Sequence, residues 1–147
     1  METTNAQLQA LRALVGEWTT EATHPMHPST VARGRSAVEW LEGETFLIVR
    51  ARNDHPEFPD SISIIGDTGG LRMHYFDSRG VARIYELTLA GPLWTFSRME
   101  PDFSPLDFKQ RLTWTFSDDG RTILVASQIC EDDETWQDDL QITYQRA

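Results

Sequence analysis

This chain has almost no cysteine, few basic residues and no long apolar run, and each shortage removes a class of protein. One cysteine in 147 residues, Cys130, forbids an internal disulfide, so burial alone must hold the fold and a reducing cytoplasm is the expected compartment. No basic and apolar leader precedes the first structural element. No apolar stretch approaches the roughly 20 residues that span a bilayer as a helix, so no membrane partner is expected. Lys and Arg number 13 against 23 Asp and Glu, a formal net charge of -10. That balance repels phosphate backbones, and nucleic acid is not an expected partner. Linkers and internal repeats are lacking, so residues 1–147 read as a single domain, long enough to bury a sizeable core. Gly-x-Ser-x-Gly, P-loop and dinucleotide fingerprints are missing too, which leaves hydrolase and nucleotide chemistry without their main sequence support.

What remains is mostly strand. Turn signals cut the chain into runs rich in Val, Ile, Thr, Tyr, Phe and Trp. Ten strands are predicted, at residues 16–23, 31–41, 45–52, 61–66, 71–77, 81–89, 93–99, 108–117, 122–130 and 140–146. Glu42-Gly43, Asp77-Ser78-Arg79-Gly80, Ala90-Gly91 and Asp118-Asp119-Gly120 carry tight-turn chemistry, which joins neighbouring antiparallel strands. A meander of this length closes most simply on itself, because closure removes exposed edges. Two Pro-rich connections, residues 24–29 (His-Pro-Met-His-Pro-Ser) and residues 100–106 (with Pro101 and Pro105), read as semi-rigid flaps, and residues 53–60 share their character.

Alternation carries the register from hairpin to hairpin. A three-residue loop with Gly80 left-handed sets Tyr75 against Arg83 and Met73 against Tyr85. A two-residue Ala90-Gly91 turn then sets Leu87 against Trp94, Tyr85 against Phe96 and Arg83 against Arg98. One face thus collects Leu71, Met73, Tyr75, Tyr85, Leu87, Trp94 and Phe96, with Arg83 and Arg98 among them. This richer apolar face is read as the interior. Continued alternation sends Phe108, Gln110, Leu112, Trp114, Phe116, Leu140, Ile142 and Tyr144 inward. Aromatic walls with a few arginines and hydroxyls suit an organic ligand with an acidic end. A one-residue error in either turn, or a place at the rim, would put both arginines in solvent.

The hairpin about Glu42-Gly43 has a better apolar face in Val38, Trp40, Leu47 and Val49. Glu39 and Arg50 then form an exterior pair, worth little; in the opposite register Glu39 becomes a buried general base held by Arg50. His74 alternates with Arg72 and Phe76 and is expected outside, although inside it would be an acid/base candidate. His24-x-x-His27 has helical metal-ligand spacing, but each histidine precedes a proline in a predicted loop with no cysteine near, so no metal is expected. Cys130 reads as a quiet thiol. The acidic run at residues 131–139 reads as a solvated hairpin loop; it lacks the alternating ligands and central glycine of an EF-hand.

The opening of the chain is the strongest single signal. Leu8, Leu11 and Leu14 run into Gly16-Glu17-Trp18, a short helix followed by Gly-x-Trp at the first strand, which is how a calycin-type barrel begins. The fold class predicted is therefore all-β: an antiparallel up-and-down calycin-like β-barrel of about ten strands with a short N-terminal helix, closed at one end by Trp18. Across nearly its full length the chain also resembles a family of small bacterial proteins described as DUF1579 or lipocalin-like. The resemblance rests on Leu14-Val15-Gly16-Glu17-Trp18, Val38-Glu39-Trp40-Leu41-Glu42-Gly43, Phe58-Pro59-Asp60-Ser61, Met73-His74-Tyr75-Phe76-Asp77-Ser78-Arg79-Gly80-Val81 and Tyr85-Glu86. It implies the same barrel and brings no established activity. A distant similarity to nitrobindins implies a haem held by a histidine near the C-terminus. The last histidine here is His74, so no haem and no other cofactor is expected. Fatty-acid-binding proteins, also ten-stranded, hold a carboxylate with an Arg/Arg/Tyr cluster, a part that falls by analogy to Arg83, Arg98 and Tyr85 or Tyr144.

The leading expectation is a barrel that binds a small, largely apolar organic molecule. Arg83 and Arg98 orient its acidic group, and Tyr75, Tyr85, Trp94, Phe96, Gln110 and Tyr144 line the lumen. The alternatives are a cofactor-independent isomerase or cyclase drawing on Glu39, His74 or Tyr85, and a barrel filled by its own side chains. A homodimer is a further expectation.

Overall fold

The computed structural model describes residues 5–100, 102–103 and 108–147. A short helix, α1 (Asn5–Ala10), and a 3₁₀ turn at Leu11–Leu14 lead into ten strands: β1 (Gly16–His24), β2 (His27–Trp40), β3 (Phe46–Asn53), β4 (Ser61–Asp67), β5 (Leu71–Asp77), β6 (Ala82–Ala90), β7 (Leu93–Arg98), β8 (Lys109–Phe116), β9 (Thr122–Cys130) and β10 (Gln137–Arg146). Each strand pairs antiparallel with its sequence neighbours, and β1 pairs with β10, so the sheet is a closed up-and-down barrel. Strict alternation drives this arrangement. In β1, for example, Trp18, Thr20 and Ala22 are buried while Glu17, Thr19 and Glu21 are exposed, so a one-residue slip would submerge two carboxylates. Among the described residues no helix is long and apolar enough to cross a membrane.

The α1 end is a plug. Leu11, Leu14 and Trp18 are fully buried, and the Trp18 indole N–H donates to the Leu14 carbonyl at 2.9 Å. The Arg146 guanidinium lies 4.2 Å from the Trp18 ring centroid and donates to the carbonyls of Ala13 (2.7 Å), Val15 (2.8 Å) and Gly120 (3.1 Å). One cation thus ties the entering chain, a far turn and the last strand together. Gly16 makes room for it: its φ is +130°, and a Cβ there would sit 2.7 Å from Arg146 Nη1.

The expected β5–β6 register is observed, with Met73 opposite Tyr85 and Tyr75 opposite Arg83. The next hairpin differs. Its turn is Gly91-Pro92, with Ala90 opposite Leu93; Gly91 supplies the positive φ of 59° and Pro92 takes the second turn position. Leu87 therefore faces Phe96, and Leu89 faces Trp94. The shift is two residues, so the inner face is unchanged but Arg83 and Arg98 are not cross-strand partners.

Two expected loops are strand instead. Residues 24–29 form no flap: His24 pairs with His27 across a tight hairpin, and β2 continues through Pro28. Proline is tolerated there because β2 begins to pair with β3 only at Gly34, leaving one side of that stretch without a ladder to break. The acidic loop is shorter than expected, since Asp138 and Asp139 belong to β10, where the register shifts between Asp138 and Gln141. Of the other Pro-rich connection, the flap expected at residues 100–106, residues 101 and 104–106 lie outside the described residues.

Odd-numbered connections share one end of an up-and-down barrel. The hairpin at Pro25-Met26, residues 54–60 and 78–81, the described residues 99–100, 102–103 and 108, and residues 131–136 therefore all lie at the end opposite the plug. Along most strands the inward side chains change character from one end to the other. β6 runs from Leu89 and Leu87 at the plug to Tyr85 and Arg83; β7 from Trp94 and Phe96 to Arg98; β8 from Phe116 and Trp114 to Gln110; β9 from Ile123 and Val125 to Ser127. The barrel thus has an apolar tier and a polar tier. Outside, Ile62 pairs with Phe76 and Ile64 with Ile48 across β3–β5, forming an apolar patch of partly exposed side chains.

Candidate functional site

The polar tier is a connected belt. Arg83 and Tyr85 come from β6, Arg98 from β7, Gln110 from β8, Ser127 from β9, Asp139 from β10 and His24 from β1. The Tyr85 hydroxyl donates to Gln110 Oε1 at 2.9 Å, and Arg83 Nη1 approaches the same oxygen at 3.4 Å. Gln110 Nε2 donates to Ser127 Oγ at 3.4 Å, and Ser127 Oγ donates to Asp139 Oδ2 at 3.3 Å. Asp139 Oδ1 lies 2.8 Å from His24 Nε2. The Met26 backbone N–H donates to His24 Nδ1 at 3.1 Å, which makes Nδ1 the acceptor and assigns the ring proton to Nε2. Every link therefore points one way, from Arg83 and Tyr85 towards the Asp139 carboxylate, and His24 donates to the same carboxylate from the other side.

The two arginines are not equivalent. Arg98 Nη1 is 3.3 Å from Asp102 Oδ1, with both side chains about 95% buried (4% and 5% exposed). Asp102 Oδ2 in turn accepts the Ile84 backbone N–H at 3.0 Å. Arg83 is 8% exposed, and among the described residues it has no carboxylate at ion-pair distance and its Nε has no hydrogen-bond partner. Both guanidinium groups lie near the Phe108 ring, at 5.6 Å for Arg83 and 5.0 Å for Arg98. An aromatic face and a neutral amide are weak compensation for a cation taken out of water, a transfer that costs several kcal/mol when no counter-charge is supplied. Burial also raises the Tyr85 pKa, with Arg83 pulling the other way, so its hydroxyl stays a neutral donor. Tyr75, raised by burial and by its 2.8 Å bond to Asp77, packs edge-on against Tyr85.

Arg83, Arg98, Tyr85 and Gln110, singled out from the sequence, meet in this belt with Tyr75 beside them. Trp94, Phe96 and Tyr144 do not join it. They pack in the apolar tier, where Trp94 lies 4.5 Å from Phe116, Phe96 stacks 4.9 Å from Trp114, and Tyr144 lies 5.2 Å from Trp114. Neither Glu39 nor His74 reaches the lumen. Glu39 is exposed and bonded to Arg50 at 2.6 Å on the outer face, and His74 bonds Thr68 at 2.9 Å, also outside. The belt's other half, His24, Asp139 and Ser127, escaped sequence reasoning. Plain alternation from Tyr144 and Ile142 places Leu140 inward, whereas the bulge brings Asp139 onto Ser127 and His24 instead.

Among the described residues no group of three His, Cys, Asp or Glu side chains is arranged to hold a metal. A cleft of about 340 Å³ lies at the rim between residues 53–60 and Ser78-Arg79. Its polar groups already hold the loop in place: Asn53 donates to the Pro59 carbonyl and to Asp60, the Asp60 N–H donates to Ser78, and Arg79 pairs with Asp77. The cleft is a seam of that loop; inside the barrel, the buried polar atoms without a hydrogen-bond partner among the described residues include Arg83 Nε.

No protein-family model and no curated protein matches the sequence. Solved structures do. The crystal structure of Rv2717c from M. tuberculosis is similar with a TM-score of 0.65 at 14% identity, over 99% of each chain. A redesigned β-barrel, mFAP1, bound to DFHBI, is similar with a TM-score of 0.50 at 14% identity, over 93% of this chain and 98% of that one. The fold is calycin-like. Likeness at these identities is one of fold.

Proposed function

We propose that this barrel binds a small, largely apolar organic molecule through an acidic group that pairs with Arg83. The observation that carries the reading is the buried guanidinium of Arg83, which has an unpartnered Nε and no carboxylate within reach among the described residues. A ligand carboxylate would supply the missing charge and a bidentate partner. Tyr85 and Tyr75 would contribute the adjoining wall. Arg98, already paired with Asp102, would support the site's field and leave direct contact to Arg83. That one similar barrel is a redesigned protein bound to DFHBI is in keeping with small-molecule binding by such a fold.

Calorimetric titration tests the proposal. Octanoate is expected to bind more tightly than 1-octanol, and Arg83→Met to remove that preference while keeping the fold, because Met retains much of the apolar stem. Equal affinity of acid and alcohol for the wild type would overturn it. The filled-barrel reading is favoured by Ala32 and Ser36, inward and at most 1% exposed; it expects neither molecule to bind. Of the three residues considered for enzymatic acid/base work in a cofactor-independent isomerase or cyclase, Tyr85 alone faces the belt.

The same proposal includes a single cytoplasmic domain of the bacterial DUF1579 or lipocalin-like type. The patch of Ile48, Ile62, Ile64 and Phe76 supports a homodimer, which sedimentation velocity would detect as a species of twice the monomer mass.

A further inference from the structure

Resting on the reading of Arg83 as an anion anchor, we propose that the lumen site has a second pole, the Asp139 carboxylate steadied by His24, and that the preferred ligand is a short ω-amino acid whose ammonium meets Asp139 while its carboxylate meets Arg83. The ring of strands sets the two poles apart. β10 is four steps from β6 around ten strands and β1 is five, so the walls bearing Asp139 and His24 face the wall bearing Arg83. Gln110 and Ser127, which connect the poles, are neutral, so neither charge is cancelled along the way.

Asp139 is equipped to receive a donor. Its two oxygens accept one bond each, from His24 at 2.8 Å and from Ser127 at 3.3 Å. A carboxylate has about four acceptor positions, so some remain. His24 keeps its proton on Nε2 because the Met26 N–H occupies Nδ1, and it therefore orients Asp139 as a donor. Unlike Arg83, this pole is open to the mouth: the side chains of His24 and Asp139 are 31% and 25% exposed. A molecule entering from the mouth meets Asp139 on one wall with Arg83 buried opposite. Cation and anion on facing walls discriminate against a simple fatty acid and in favour of a zwitterion.

Octanoate and ω-aminooctanoate, titrated calorimetrically into the wild-type protein, make the test. The amino acid is expected to bind about tenfold more tightly, the gain of one charge-assisted hydrogen bond. In Asp139→Asn the ratio of the two affinities should fall to about one; in Ser127→Ala, which keeps the charge, the gain should persist. A wild-type protein that binds ω-aminooctanoate no better than octanoate would overturn the second pole and leave the Arg83 anchor standing. So would a gain that survives Asp139→Asn. Failure of the anchor itself reads differently, as octanoate binding no better than 1-octanol.

Discussion

Replacing Trp18 by alanine removes the centrepiece of the plug, and the structure fixes the size of the effect. The indole is fully buried, so truncation forfeits its transfer free energy and leaves a cavity, about 3–5 kcal/mol for an aromatic in a core. The edge contact with Tyr144, 6.1 Å between centroids, and the bond to the Leu14 carbonyl are lost with it. Each is worth about 1 kcal/mol, part of it already inside that range. A loss of about 4 kcal/mol is the working figure. For a chain of this length it corresponds to a thermal midpoint lower by roughly 8–16 °C. Urea denaturation followed by far-UV circular dichroism would measure it directly. Arg146→Met, which releases three backbone carbonyls, should destabilise as well. The pair of mutations should be strongly non-additive, because Arg146 stacks on Trp18. A Trp18→Ala protein within 1 kcal/mol of wild type, or losses that simply add, would refute the plug as the element that closes the barrel.

Two further outcomes follow from the placement of charged and titratable groups. All three tyrosines have raised pKa values from burial, Tyr144 pushed up to about 12 and Tyr75 and Tyr85 also upwards. The folded state thus holds phenolic protons that the unfolded chain gives up near pH 10. Stability is fully present below that pH and is lost as pH rises from about 10 towards 12. Near-UV phenolate absorbance should stay flat past pH 10 and then rise together with unfolding; an early rise without unfolding would contradict the burial of these rings. Glu39→Gln, which breaks an exposed pair with Arg50, should change stability by less than about 1 kcal/mol in a chemical denaturation series. A larger loss would mean that the pair is not the solvent-exposed contact described.

The barrel was legible because its alternation is strict and its turns are local. Once Gly80 fixed the β5–β6 hairpin, the inward face of β6 and β7 followed, although Leu89 was not named on it, and even placing the turn at Ala90-Gly91 preserved the face, since an error of two residues leaves parity intact. The Gly16-x-Trp18 signal marked the plug, although Arg146, which pins it from the other end of the chain, gave no local sign. Half of the polar belt was hidden for the same reason. A bulge such as the one that turns Asp139 inward is invisible to periodicity, and His24 acquires meaning only when β1 meets β10 across the closure. The difference between Arg83 and Arg98 was equally out of reach: Asp102, the neutralising carboxylate, belongs to a connection whose path no pattern of residues dictates.

The central claim is that Arg83 carries an unmet demand for an anion, and its side-chain Nε–H offers the most direct view of it. Among the described residues that group has no hydrogen-bond partner. Nitrogen-15 NMR of the arginine Nε–H groups during titration with octanoate should show the Arg83 resonance, assigned through Arg83→Met, shifting saturably. The same titration with 1-octanol should leave it in place. An Arg83 resonance that ignores octanoate, or responds equally to the alcohol, would contradict the account.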